Sequence, residues 1–176
     1  MTTSKPEVWL RGPVPDIPFF LQPAAHALLQ AREELPGCLK GFPEERLWVS
    51  LAGRASVGFH LLHLTGVLDR LIAYAEGKQL TKAQWEYLRQ ESKPHPTLST
   101  EVLIHRFDQK VTETLEIFKR TSEASLREIR VVGRKKLPST VMGLYFHAAE
   151  HSQRHLGQLL VTATVLKHQQ AEFTAE

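Results

Sequence analysis

The stretch HAAEHSQRHLGQLL, residues 147–160, sets an imidazole at every fourth position: His147, His151 and His155. Side chains four apart stand on one face of a helix, one above the other. Two such imidazoles can hold a single metal ion, or they can simply crowd each other. At roughly 100° per residue, the face of His151 is shared by Leu144, His147, Ala148, Arg154, His155, Gln158 and Thr162. That stripe is too polar for the buried seam of an ordinary helix bundle, while Leu156, Leu160 and Val161 lie elsewhere on the circumference. It reads as the lining of a pocket.

A second helix offers a partner. GFHLLHLTGVLDRLIAYA, residues 58–75, carries His63 in the middle of an apolar run, with Phe59, Gly66, Val67, Arg70 and Tyr74 on its face and His60 at the edge. A single histidine on an apolar face is more often a hydrogen-bonded core residue than a ligand. Facing helices can nevertheless build a metal site from inward side chains. One histidine from this helix and two from the stripe make three nitrogens with a vacant coordination place, the arrangement metal catalysis needs. The HxxxH pair lacks the glutamate of HExxH, so a metalloprotease has no general base in place.

Three polar residues near these faces have two readings each. Arg70, about two turns from His63, could bind a substrate carboxylate or a thiol-cofactor anion, or pair with Asp69 or a glutamate. Arg154 could serve the pocket, but a charge within a bundle is costly unless paired. Gln158 could orient a ligand or make a plain polar contact. Elsewhere, His95 and His168 read as solvated, His26 and His105 lack a stripe of partners, and Cys38 reads as structural.

The elements that must position these groups are helices. Gln22-Pro23 opens the first, which is expected to end before Pro36-Gly37; proline suits the first turn of a helix. The second runs from about Ala55 to Tyr74, and Thr81 with Gln84 stands in capping-box register for a short helix after it. Thr100 to Arg120 has apolar residues at Ile104, Phe107, Val111, Leu115 and Phe118, close to helical period. LREIRVVGRKKLPST is strand-like or irregular and leads into a last helix from about Thr140 to His168. Residues 1–21, with four prolines, read as an extended arm on a single domain spanning 1–176. The pattern is all-α: a four-helix bundle with a long crossover connection.

Composition narrows the function classes. The chain is 42% hydrophobic and 23% charged, which supports a packed fold rather than disorder. With one cysteine there is no internal disulfide and no cysteine-built zinc site, which suits a reducing, cytoplasmic setting. The proline-broken start lacks an apolar signal segment, and no apolar run is long enough to cross a bilayer. A net charge of +3 is too weak to imply nucleic acid. The cluster Arg127, Arg130, Arg134, Lys135 and Lys136 has no interleaved aromatics for base stacking and reads as a solvated crossover.

SVGFHLLHLTGVLDRLIAYAEGKQL and LPSTVMGLYFHAAEHSQRHLGQLL resemble the DinB-like family of metalloenzymes, a likeness extending from about Pro18 to Lys167. The resemblance implies a four-helix bundle with up-up-down-down connection that binds zinc, nickel or a related divalent ion through three histidines. Its signatures fall on His63 and, because HLGQ fixes the register, on His151 and His155. His147 and His60 then become extras, His147 lining the pocket one turn away or hydrogen-bonding a metal-bound water. The implied activity is that of a metal-dependent hydrolase or a transferase using a low-molecular-weight thiol. The alternative is a non-catalytic, metal-stabilised small-molecule-binding or stress-response module. A small-molecule substrate or thiol is the expected partner, with a homodimer compatible with the family.

Overall fold

The computed structural model describes residues 5–173, with side chains to residue 169. It is mostly helical. Five helices, α1 (Gln22–Cys38), α2 (Val57–Ala75), α3 (Lys82–Gln90), α4 (Thr100–Arg120) and α5 (Val141–Phe173), are joined by loops, short 3-10 turns and one hairpin of β1 (Ile129–Val132) and β2 (Leu137–Thr140). None of the described helices is long and apolar enough to cross a membrane.

Helix α2 is the centre of the molecule. Ser56 caps it by accepting from the Phe59 amide, and every residue of it is buried except Phe59, His63 and Asp69. A helix covered on all sides belongs inside, and its burial is broken at Phe59, His63 and Asp69. α4 is amphipathic: Leu103, Phe107, Val111, Leu115 and Phe118 are buried along one stripe. It spans Thr100–Arg120, as the periodicity predicts.

α1 runs through Pro36 and Gly37 to Cys38, past the expected stop. Pro36 lies in the last turn, where the helix can close without its amide. Leu35 and Leu39 are buried on either side of it, and Lys167 Nζ donates to the carbonyls of Cys38 (3.0 Å) and Lys40 (2.8 Å). Packing and that lysine carry the helix beyond its breaker.

α1 and α2 each pack against both α4 and α5. Paired residues give the directions. His60 meets His155 and His63 meets His151, so α2 and α5 are opposed. Gln153 bonds the Ala27 carbonyl while Lys167 bonds that of Cys38, so α1 and α5 run together. Leu62 shares a hollow with Leu98 and Arg106, and Asp69 pairs with Lys110, so α2 and α4 also run together. The order along the chain is therefore up, down, down, up. This corrects the up-up-down-down order that the family resemblance implied: α3 and its flanking loops carry the chain back along α2 before α4 begins.

The arm is less extended than its prolines suggest. Val8–Arg11 and Phe19–Leu21 form 3-10 turns, and Val8, Ile17 and Leu21 are buried against the helices; residues 1–4 lie outside the described ones. The strand-like stretch is the hairpin, with Ile129 opposite Thr140. Arg130 Nε fastens it to the end of α2 by donating to the Ala75 carbonyl (2.7 Å).

Candidate metal centre

The opposed helices α2 and α5 bring His63, His151 and His155 together so that one ligating atom of each lies within 4.8 Å of the others. His63 Nε2 stands 3.0 Å from His151 Nε2. Each of two outer nitrogens is already engaged: His63 Nδ1 donates to Glu91 Oε2 at 2.8 Å, and His155 Nδ1 shares a hydrogen bond of 2.9 Å with His60 Nδ1. His63 thus keeps the Nε2 lone pair for a ligand, and His155 does so in the tautomer whose Nδ1 donates to His60. His151 Nδ1 is buried and has no hydrogen-bond partner among the described residues.

Burial is the main cause that lowers the proton affinity of these rings, and a charge on His63 would lower it further. His60 and His151 are pushed down to about 4, and His155 to about 3. All three are neutral at pH 7, the form of imidazole that binds metal. The two neutral imidazoles of α5 converging with His63 of α2 fit a divalent ion such as zinc or nickel. The Phe59 ring, stacked on His63 at 5.2 Å and 12°, covers one side of the cluster.

Behind His63 stands a buried ion pair. Glu91, 2% exposed, is the residue that closes α3, and Arg70 of α2 reaches it with both guanidinium ends, Nη1 to Oε1 and Nη2 to Oε2 at 3.3 Å. Gly66 makes room for them. A Cβ there would stand 2.6 Å from Tyr87 Cε1 and 2.7 Å from Arg70 Nη1, and would overlap the Glu91 carboxylate. Tyr87 donates its hydroxyl to the Leu62 carbonyl (3.1 Å). Burial first, and the Glu91 charge second, raise that phenol to about 12.

Of the other expected pocket residues, Arg154 and Gln158 line one hollow, and His147 and Arg70 are not among its lining. His147 is exposed, with Nδ1 3.3 Å from Glu150 Oε2, and His147, Glu150 and His151 form a second group of potential ligands. Arg154 is exposed and held by Glu150 of its own helix. Gln158 lines a hollow of about 710 Å³ together with Arg54, His60, Arg154, Val161 and Thr162. Arg70 is turned into the ion pair with Glu91 and away from that hollow.

His60 stands outside the groups of potential ligands and bonds His155. One sequence expectation is corrected. His95 is half-buried, its Nε2 bonding the Gln90 carbonyl (3.0 Å) and its ring against Trp48. Glu91 escaped notice because it follows a short polar helix and shares no face with any histidine in sequence. The capping box of α3 is formed as expected and was its only local sign.

Residues 27–159 match the sequence profile of the DinB superfamily. The chain belongs to the DinB superfamily. On this DinB chain the match takes in His63, Glu91, His151 and His155 and leaves out the arm and the end of α5. No curated protein matches the chain.

Proposed function

We propose that this DinB protein is a metal-dependent hydrolase or thiol-dependent transferase with one divalent ion held by His63, His151 and His155 in a four-helix bundle. One observation carries the reading: three imidazoles converge with ligating atoms within 4.8 Å, and the two on α5 are neutral at pH 7. Around the ring of long helices, α1, α5, α2 and α4 are successive neighbours, which supports the bundle. A bound divalent ion supplies Lewis acidity, lowering the pKa of a thiol or water that reaches it.

The chain's own groups do the rest. His63 and His155 present Nε2 because their other nitrogens are held by Glu91 and His60. Phe59 keeps water from one side. The hollow running from His60 to Thr162 offers space for a small substrate beside the centre, with Arg54 and Arg154 at its walls. Zinc and nickel both suit imidazole, so geometry and supply choose between them.

A second reading, a metal-stabilised binding module without turnover, has its own support. Two carboxylates beside the histidines are engaged, Glu91 by Arg70 and His63 and Glu150 by Arg154. Neither is free to act as a general base.

Elemental analysis of tag-free wild type beside His151→Ala tests the centre. Near-stoichiometric divalent metal in wild type, lost in the variant, is expected; a wild type that stays empty after zinc and nickel are offered ends the metal reading. Turnover of thiol-acceptor or hydrolysable substrate panels by the loaded protein then separates enzyme from binding module.

A further inference from the structure

Helix α3 is unusual in what it buries. None of the residues Lys82–Gln90 is fully buried, yet Glu91 at its end is 2% exposed. The helix is docked on α2 by polar groups: Gln84 Nε2 donates to Asp69 Oδ2 (2.8 Å), and Tyr87 Oη to the Leu62 carbonyl. A nine-residue amphipathic surface helix ordinarily attaches by an apolar stripe. In this one Tyr87 packs against the apolar core, and the residue that closes the helix is a buried carboxylate. The site into which it is delivered is prepared from the other side, with Arg70 supplying the opposite charge and Gly66 the space.

We propose that Glu91 is a positioning residue that fixes the ring orientation and tautomer of His63, and that α3 is the element that carries it there. Glu91 Oε2 accepts only if His63 Nδ1 carries a proton, and in the neutral ring that leaves Nε2 unprotonated, 3.0 Å from the His151 Nε2 with which it shares a hydrogen bond. In free histidine neither constraint exists, and a ligand imidazole held this way loses less freedom on binding. Arg70 holds the carboxylate by two contacts, so Glu91 cannot swing toward the metal position itself. The pairing also balances a buried charge that would otherwise be costly. The proposal rests on the metal reading for its purpose but not for its geometry. A reciprocal consequence follows, because two events that favour one another do so equally in both directions: metal on His63 protects the docked state of α3.

The test uses the full-length chain with and without zinc, as wild type, Glu91→Gln and Tyr87→Phe. Nitrogen-15 NMR of the metal-free protein reads the His63 tautomer directly. Wild type is expected to hold the proton on Nδ1. Glu91→Gln is expected to give a mixture, since the carboxamide it introduces can face Arg70 and His63 with either end. Zinc affinity, read by competition with a chromophoric chelator, is expected to fall about 10–100-fold in Glu91→Gln. Tyr87→Phe loosens the docking of α3 but keeps the carboxylate, so its His63 tautomer stays as in wild type. Zinc is expected to slow hydrogen exchange of the α3 amides in wild type and not in Glu91→Gln. A His63 proton that sits on Nε2 in wild type, or a tautomer and zinc affinity unchanged in Glu91→Gln, overturns the proposal. Failure of wild type to bind zinc, with the tautomer shift present, overturns the metal centre and leaves Glu91 as the group that orients His63.

Discussion

At the scale of single residues, the cluster owes its properties to burial. Unfolded, His60, His151 and His155 take up a proton near the ordinary value of 6.5; folded, they refuse it down to about 4, 4 and 3. The unfolded chain therefore binds more protons as pH falls through this window, and acid pulls the equilibrium toward it. The stability these rings contribute is intact above pH 6.5 and is lost progressively on the way to about 3. Urea denaturation of the metal-free protein is expected to give a lower midpoint at about pH 5 than at about pH 7.5; an equal or higher midpoint at the acid end contradicts this account. The histidine stripe and His63 were legible in the sequence because helical spacing reports faces. The hydrogen bond from His60 was not, because spacing within one helix says nothing of what stands opposite. Cys38 gives a smaller example: burial, the largest influence, raises its thiol pKa, in keeping with a structural cysteine.

At the scale of elements, helix periodicity and caps placed α2, α3 and α4 well, and the proline rule failed at α1, where packing of Leu35 and Leu39 overrides it. Two substitutions probe how the elements meet. Gly66→Ala should raise intrinsic helix propensity by about 1 kcal/mol, yet the added methyl meets Tyr87, Arg70 and Glu91. We expect a lower melting temperature and weaker zinc binding; a stabilised protein with undiminished zinc affinity would show that this contact yields freely. Thr81→Ala removes the hydroxyl that accepts from the Gln84 amide, at a cost of about 1 kcal/mol to α3. Because α3 is attached by few buried contacts, that loss should appear as faster exchange of its own amides with little change in the global transition. Uniformly faster exchange across α2 and α5 would contradict the independence of α3.

At the scale of the whole molecule, the cluster and the main core are separate products of the same helices. Phe118, fully buried, lies 4.7 Å from the Tyr145 ring and joins α4 to α5 six residues before His151. Phe118→Ala should cost about 3–5 kcal/mol, read by denaturation, while zinc stoichiometry of the folded fraction stays at the wild-type value. The basic hairpin is likewise apart from the centre: Arg130 is committed to the Ala75 carbonyl and Glu128, and Arg134 lies 5.3 Å over the Trp85 ring. Neutralising Arg134, Lys135 and Lys136 together should leave zinc loading unchanged. The strand-like character of the hairpin was readable from its residues. The direction of the helices was not, since periodicity is blind to which way a neighbour runs.

The histidines of α5 repeat every four residues while those of α2 are three apart, and the two sets meet as rungs, His60 with His155 and His63 with His151. A repeating mark does not by itself specify alignment. Slid by four residues, about 6 Å along its axis, α5 would offer His147 and His151 to the same partners. The imidazole pattern is thus degenerate, and the true frame is set by marks that do not repeat. Gln153 on the Ala27 carbonyl and Lys167 on those of Cys38 and Lys40 each have one address. Made to α1 and the loop after it, on another face of α5, these bonds decide which two of the three imidazoles face α2.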